Sequence, residues 1–507
     1  MKSKGMVYLV GAGPGDAGLL TLRGAELLAR ADVVVYDALV NADLLRLASK
    51  SVEIIYGGKR AKDHAIPQEE LNRLLISKAK EGKTVVRLKG GDPYIFGRGG
   101  EEAEGLAAAK IPFEVVPGIS SVVAAPNYAG IPLTHREYCS SFTVFTGHEY
   151  PDKADSDLDW AQLAATPGTK VVLMGAERIG HVADVLRANG MAPATPVAMV
   201  RWGTTGRQQC IAGTLADIAD LAAAKNFSAP AVIVIGEVVK LRSKLNWFEN
   251  RPLFGQRIVV TRTRDQASQL SRQLLERGAE VLEIPTIKTI PPNRQEGIVE
   301  ALGGLNAYDW IVFTSPNGVS WFFDYFFKKF QDLRDIGGVR IAAVGPATAA
   351  KLKELHLQVD LMPLEYLATG IADALAAFES LENLRILLPR AQVANTDLPK
   401  LLEEKGAIVD DIACYQTVPE TEDLSGAAAK MLAEGADWIT FTSSSTVENF
   451  HARFDLPALL KRFPQTRTGS IGPETSKTLA SLGTKPSVEA STHTIEGLVK
   501  ALESAEK

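Results

Sequence analysis

Cysteine is scarce here: Cys139, Cys210 and Cys414 are the three in 507 residues. They are far apart, with no CxxC pair, so neither a disulfide scaffold nor a cysteine zinc site is expected. A reducing cytoplasm is the simplest location. Long apolar runs are also missing. None approaches the ~20 residues that a membrane span needs, so no membrane partner is expected. Nor is there a basic surplus: 55 Lys+Arg against 60 Asp+Glu leave a net charge of −5 with His neutral. A general nucleic-acid binder would carry positive excess, which excludes that class. Met1–Val10 has two lysines and a short apolar run that turns at once into Gly11-Ala12-Gly13-Pro14-Gly15. It reads as a first β-strand, because a secretory hydrophobic segment is longer.

What is present is an ordinary globular composition, 46% hydrophobic and 23% charged, in a chain long enough for about three or four domains. One grammar repeats: a short β-branched run, a Gly/Pro/Ser turn, then an amphipathic helical stretch. Val7–Val10, Val33–Tyr36, Val85–Leu88, Val171–Met174, Val232–Ile235, Ile258–Thr261, Trp310–Phe313, Ile341–Val344, Ile386–Leu388 and Trp438–Phe441 read as buried strands. Strands alternating with helices predict an α/β protein with largely parallel sheets. A boundary falls near Lys240–Gln256, where Asn250-Arg251-Pro252 breaks the chain. Residues 1–240 and 255–507 then form two halves joined by a linker at 241–254. This linker is partly apolar rather than a Gly/Ser tether, so the halves can pack on each other.

The second half repeats itself. Arg257–Arg262 echoes Arg385–Arg390, and Leu274–Ala279 echoes Leu401–Ala407. Phe313-Thr314-Ser315 echoes Phe441-Thr442-Ser443, and Val344-Gly345-Pro346-Ala347-Thr348 echoes Ile471-Gly472-Pro473-Glu474-Thr475. Ordered blocks at nearly constant spacing predict two similar α/β lobes facing a cleft.

In the first half, Gly11-Ala12-Gly13-Pro14-Gly15-Asp16 lies between a strand and a helix but is not a dinucleotide turn. G-x-G-x-x-G needs glycine where Asp16 stands, and Pro14 stiffens the curl that would hold a pyrophosphate. Such a turn instead permits close backbone approach to a ligand and ends in a helix-capping Asp16. Two more glycine-dense segments follow strands: Leu88-Lys89-Gly90-Gly91-Asp92-Pro93 through Glu102, and Val116-Pro117-Gly118-Ile119-Ser120-Ser121 with Ala129–Arg136. Read singly each is an ordinary turn; together they outline a pocket.

These motifs carry a resemblance. Across Val7–Val239 the chain resembles uroporphyrinogen-III C-methyltransferase. The matches are the Gly-Pro-Gly-Asp turn with Leu19-Leu20-Thr21-Leu22, Tyr36-Asp37, Gly58-Lys59, Gly90-Gly91-Asp92-Pro93 with Phe96-Gly97-Arg98-Gly99, Gly130–Arg136 and Thr146-Gly147-His148. Ala17 and Ala38 depart from the proline and arginine of many relatives, and neither removes a reacting group. The resemblance implies the two-subdomain tetrapyrrole-methylase fold (about 1–117 and 118–240), a homodimer through this half, and S-adenosylmethionine as co-substrate with no metal. It places Pro14, Gly90, Gly91, Asp92, Ile95, Ser120, Ser121, Met174 and Gly203 at the donor, Asp37 as proton acceptor and Lys59 as proton donor. Methylating a pyrrole carbon needs the ring in line with the sulfonium methyl and a base for the displaced proton. Lys59, Arg60, Arg98 or Arg136 would clamp substrate carboxylates. Read from the residues alone, Asp37 fits a helix cap equally well, and Lys59-Arg60 fits a solvated pair.

The second half has no Ser-His-Asp order, metal cluster or phosphate loop. Hydroxyl-rich strand-to-helix turns recur at Thr261, Thr314-Ser315-Pro316-Asn317-Gly318, Gly345–Thr348, Thr442–Ser445 and Gly472–Thr475. Each offers N–H groups and hydroxyls to an anion, or merely caps a helix. From Phe254 to about Glu503 the chain resembles uroporphyrinogen-III synthase, through the Thr-Ser-x-Asn-Gly-Val turn, the two Gly-Pro-x-Thr turns and Cys414-Tyr415 before Thr417-Val418-Pro419. That resemblance implies a two-lobed α/β fold with flavodoxin-like parallel sheets. The chain would cross between lobes twice: lobe one about 255–287 plus 421–507, lobe two about 293–418. It implies closure of hydroxymethylbilane to uroporphyrinogen III, with Tyr415 assisting hydroxyl departure and Thr261, Ser315, Asn317, Thr348, Ser443 and Thr475 on the substrate. Tyr415 reads equally as a core residue. The whole is expected to be a bifunctional enzyme giving precorrin-2 for the sirohaem or cobalamin branch. The alternative is another precorrin methyltransferase fused to a non-catalytic porphyrinogen-binding module.

Overall fold

The computed structural model describes residues 5–49, 51–58, 67–148, 157–262, 264–423 and 425–506. Short apolar runs, the valine-rich β1, β2 and β4 being the most fully covered, build the first sheet: β1 (Met6–Gly11), β2 (Val33–Tyr36), β3 (Glu53–Tyr56), β4 (Thr84–Lys89) and β5 (Phe113–Val116). Every pairing is parallel, in the order β3-β2-β4-β1-β5. Parallel strands end on one edge, so the glycine-rich turns after β1, β4 and β5 meet there.

The sheets are largely parallel, as expected, and the second sheet is the one that departs most from that pairing. It contains β6 (Phe142–Thr146), β7 (Thr169–Leu173), β8 (Pro196–Arg201), β9 (Gln209–Thr214) and β10 (Ala231–Ile235), ordered β6-β7-β10-β8-β9. Only β6–β7 is parallel; β10 runs antiparallel to both its neighbours and β8 to β9. Residues 202–208 between β8 and β9 are too few for a helical crossover, which forces an antiparallel return. The helix Ser121–Tyr128 follows β5 but buries Val122 and Ala125 against Val171, Ala198 and Val232 of this second sheet. It therefore ties the two sheets across the cleft.

In the second half, β11 (Arg257–Val260) and β12 (Glu280–Glu283) open one lobe. The chain then builds the other lobe from β13 (Ile287–Ile290), β14 (Trp310–Phe313), β15 (Arg340–Ala343), β16 (Arg385–Ala391) and β17 (Ile408–Pro419). It returns with β18 (Trp438–Phe441), β19 (Arg467–Ser470) and β20 (Val488–Glu489). The sheet orders are β12-β11-β18-β19-β20 and β13-β17-β16-β14-β15. Ile287, expected in lobe one, pairs with Pro419 instead. The first crossing therefore comes earlier, at Pro285-Thr286, because β13 covers the otherwise open far end of β17. The repeat is visible in the cores: Trp310 and Phe313 correspond to Trp438 and Phe441, and all four are completely buried.

The linker is packed, not loose. Tyr128 meets Trp247 and Phe248 with ring centroids 5.0 and 4.8 Å apart, and Phe248 meets Phe254 at 5.4 Å. Glu249 accepts from Gln208 at 2.9 Å and pairs with Arg242. Among the described residues no helix is long and apolar enough to cross a membrane, and no group of His, Cys, Asp and Glu is arranged to hold a metal ion.

Candidate active sites

The three glycine-rich turns touch backbone to backbone. The N–H of Gly91 donates to the Gly13 carbonyl at 2.7 Å, and that of Gly13 returns to the Gly91 carbonyl at 3.2 Å. A Cβ at Gly11 would stand 2.4 Å from the Gly118 Cα, so only glycine permits this approach. Asp16 joins the first turn to the second subdomain. Its carboxylate accepts from the Gly18 N–H and the Tyr128 hydroxyl, both at 2.8 Å, while its own N–H donates to the Thr204 hydroxyl at 3.0 Å. Burial and the Asp16 carboxylate keep the Tyr128 hydroxyl protonated, so it remains a donor.

Between the subdomains lies a cavity of about 910 Å³ lined by Pro14, Gly90, Gly91, Ile95, Ser120, Ser121, Met174 and Gly203. Asp92, expected with them, does not line it. Its two carboxylate oxygens accept from the Tyr94 N–H at 2.8 Å and the Gly118 N–H at 3.0 Å, so it braces the turns. The size suits an organic ligand of several hundred cubic ångströms. The lining suits one approached by bare backbone, since Gly90, Gly91 and Gly203 present no side chain.

Asp37 follows β2 and does not line this cavity. It accepts from the Arg87 guanidinium at 2.6 Å, and Arg87 is almost fully buried whereas Asp37 is 30% exposed. Arg87 and Lys89, two residues apart on β4, leave the strand on one face. There the helix Gly99–Ala108 brings Glu102 to 3.2 Å from Arg87 and 2.8 Å from Lys89. Burial and the adjacent guanidinium pull the Lys89 ammonium below its ordinary value. This cluster escaped the sequence reading, although two cations inside a buried β-run were a visible signal of paired charge. Lys59 and Arg60 lie outside the described residues. Arg98 is half exposed and makes a two-pronged contact with Glu101 at 3.0 and 2.6 Å. Arg136 lies exposed beyond the cleft-bridging helix.

In the second half, the Ser315 hydroxyl caps the helix Pro316–Lys329 by accepting from the Gly318 N–H at 3.0 Å, and it lies 3.2 Å from the Tyr415 hydroxyl. Both line a cavity of about 270 Å³ with Thr314, Arg390 and Asn395. Tyr415 is 6% exposed against the lobe's aromatic core, and burial raises its hydroxyl above the ordinary value. It is thus a neutral donor at the cavity wall. Asn317 stands half-buried in the first turn of the same helix. Thr348 and Thr475 occupy matching first turns in opposite lobes, both nearly fully buried. Ser443 forms a capping box with Thr446, the structural role open to it from sequence. Thr261 departs from the expected substrate contact: it is fully buried and its hydroxyl donates to the Thr440 carbonyl at 2.9 Å.

Two family models divide the chain: tetrapyrrole (corrin/porphyrin) methylases match residues 6–219 and uroporphyrinogen-III synthase HemD matches residues 268–500. The porphyrin biosynthesis protein HemD of Ruminiclostridium josui is 40% identical over 458 residues, covering 89% of this chain and 90% of that one. The chain belongs to the family that fuses a uroporphyrinogen-III C-methyltransferase to a uroporphyrinogen-III synthase. It is a bifunctional enzyme of tetrapyrrole biosynthesis. The methyltransferase half is 54% identical, over 241 residues, to the S-adenosyl-L-methionine-dependent uroporphyrinogen III methyltransferase of Methanosarcina barkeri, covering 48% of this chain and 94% of the relative. A uroporphyrin III C-methyltransferase structure from Thermus thermophilus is 40% identical, with 46% of this chain and 99% of that one covered, at a TM-score of 0.40.

Proposed function

We propose that the synthase half closes hydroxymethylbilane to uroporphyrinogen III, and that the methyltransferase half methylates this product twice to give precorrin-2, for the sirohaem branch. The observation that carries the reading is the convergence on one cavity of Pro14, Gly90, Gly91, Ile95, Ser120, Ser121, Met174 and Gly203, drawn from five separate loops. S-adenosylmethionine held there supplies an electrophilic methyl group. The chain's own part is to hold the pyrrole carbon in line with that methyl and to remove the proton displaced by the new bond. Asp37 takes that proton in this reading. Arg87, anchored by Glu102, aims one carboxylate oxygen and leaves the partly exposed remainder for the substrate. Lys59 is the proton donor by resemblance. Arg98 and Arg136, both exposed, would clamp substrate carboxylates in this reading, as the resemblance implies.

In the synthase half the work is chiefly conformational, because the reactive azafulvene left by hydroxide loss closes unaided to the wrong isomer. Tyr415, held neutral by burial and beside Ser315, would donate to the departing hydroxyl. The Tyr415 cavity is smaller than a typical ligand pocket, so most of a linear tetrapyrrole would lie between the lobes. A homodimer through the methyltransferase half belongs to the same reading, and sedimentation velocity would test it.

The test is to supply purified protein with hydroxymethylbilane, with and without S-adenosylmethionine, and identify the products. Uroporphyrinogen III without the donor and precorrin-2 with it are expected. Isomer I alone, or unmethylated product in the presence of the donor, would remove the corresponding half of the proposal.

A further inference from the structure

The donor cavity is not closed by the methyltransferase half alone. Leu275, Glu280, Glu283, Ala427 and Lys430 of the synthase half line it too. We propose that the synthase lobe forms part of the methyl-donor pocket. In it, Glu283 and Glu280 act as positioning residues, holding segments 42–46 and 203–207 in the donor-binding arrangement through Arg46 and Arg207. This inference rests on reading the cavity as the S-adenosylmethionine site.

Two independent contacts make the seam. Arg46, on the short helical stretch Ala42–Leu47 that lines the cavity, pairs with Glu283 and also with Asp43 at 3.1 Å. Arg207 reaches Glu280 at 2.9 Å, and that carboxylate is also held by Arg257 at 2.7 Å and by Lys430. Glu280 and Glu283 are 13% and 11% exposed while Arg207 and Arg46 are 34% and 40% exposed, so each pair is partly exposed on its arginine side and covered on its carboxylate side. Backbone packing supports the same seam: a Cβ at Gly206 would stand 2.4 Å from the Glu280 nitrogen, so loop and strand edge touch main chain to main chain.

Segment 203–207 needs such support. Trp202 and Thr204 both hold left-handed backbone conformations, with φ of 50° and 72°, which a residue with a Cβ adopts only when its surroundings hold it there. Their position is held from three directions. Thr204 accepts from the Asp16 N–H, Gln208 donates to Glu249 of the linker, and Arg207 reaches Glu280 of the synthase. Gly203 and Thr204, which line the cavity, move with whatever this loop does. A methyltransferase lacking the synthase half would lose one of these three supports and the wall behind it.

The test uses the full chain, uroporphyrinogen III supplied directly, and the substitution Glu283→Lys, which sets two cations against each other at Arg46. The KM for S-adenosylmethionine should rise about three- to tenfold, the range between a lost partly exposed pair and an added repulsion, while kcat stays within about twofold. Binding of S-adenosylhomocysteine, measured by calorimetry, should weaken by the same factor. Isomer III formation from hydroxymethylbilane should be unchanged. The swapped pair Arg46→Glu with Glu283→Arg, made together with Asp43→Asn so that the new glutamate does not face a carboxylate, should recover the KM, which a general loss of folding would not. Should Glu283→Lys not fold, Arg46→Gln approaches the same contact from the other side with the same expectation. Unaltered KM and affinity, or no recovery in the swapped pair, overturns the inference. Wild-type protein that transfers no methyl group at all overturns the underlying reading instead.

Discussion

Arg453, at the end of the helix Ser444–Phe454, holds both chain crossings between the synthase lobes at once. Its guanidinium donates to the carbonyls of Pro285 at 3.2 Å, Glu420 at 2.7 Å and Thr421 at 2.9 Å. The first lies on the outgoing segment and the others on the returning one, and the two segments meet where the Glu420 N–H donates to the Thr286 carbonyl at 3.0 Å. A hydrogen bond to a charged group contributes about 1.5–3 kcal/mol net where water is excluded. The Thr421 contact is exposed and regains water, so only the two part-buried bonds count in full. Counting those at the lower half of that range, Arg453→Ala should cost the synthase half about 3–4.5 kcal/mol. Arg453→Lys should recover only part of this, since an ammonium cannot reach all the carbonyls that the guanidinium spans, Glu422 at 3.4 Å among them. Urea unfolding followed separately in the two halves should show the synthase transition alone moving to lower denaturant. Released crossings also loosen the angle between lobes, so the product from hydroxymethylbilane should contain more isomer I. A synthase transition shifted by less than about 0.5 kcal/mol, the usual size for an inert surface change, together with an unchanged isomer ratio, would refute the clamp.

Asp37→Asn should lower methyl transfer by about 100-fold or more while the KM for the donor stays near wild type, because a base is lost and the donor cavity is untouched; full turnover would remove Asp37 as the base. Burial pushes the Cys210 and Cys414 thiols up to about 12, leaving roughly one part in ten thousand as thiolate at pH 8. Ellman's reagent should therefore label at most Cys139 in the native protein and all three cysteines after unfolding; rapid labelling of a second native thiol would contradict the packing. Burial works to raise the Glu280 carboxyl, but hydrogen bonds from Lys430 and Arg257 outweigh it and hold the group below its ordinary 4.5. The stability it contributes is present above that value and lost as pH falls through the lower folded one. The melting temperature of wild type should exceed that of Glu280→Gln at pH 7, with the gap held down to about 4.5 and closing as pH falls below it; a gap that widens on acidification would reverse the assignment.

Much of this molecule was legible along the chain. Period and turn chemistry placed the strands, and the glycine turns after β1, β4 and β5 marked the edge where the cavity between the subdomains lies, because parallel strands deliver their exits to one edge whatever their length. The repeat marked two equivalent lobes: β12-β11-β18-β19 and β17-β16-β14-β15 are the same order under the correspondence of Trp438 with Trp310. Other features depended on contacts between residues remote in sequence. Asp92 looked like a ligand contact and became a brace because the Gly118 N–H arrived beside it. Thr261 looked like an anion contact and turned into the sheet toward Thr440, 179 positions away. The antiparallel second sheet followed from a loop too short to cross over, not from any strand's own residues. Glu283 carried no local sign of its role, since an acidic residue at a strand end is ordinary until a second domain brings Arg46 to it. Backbone propensity and apolar period act over a few residues and can be read there; which charge meets which, and which hydroxyl stays free, is decided only when folding sets the lobes side by side.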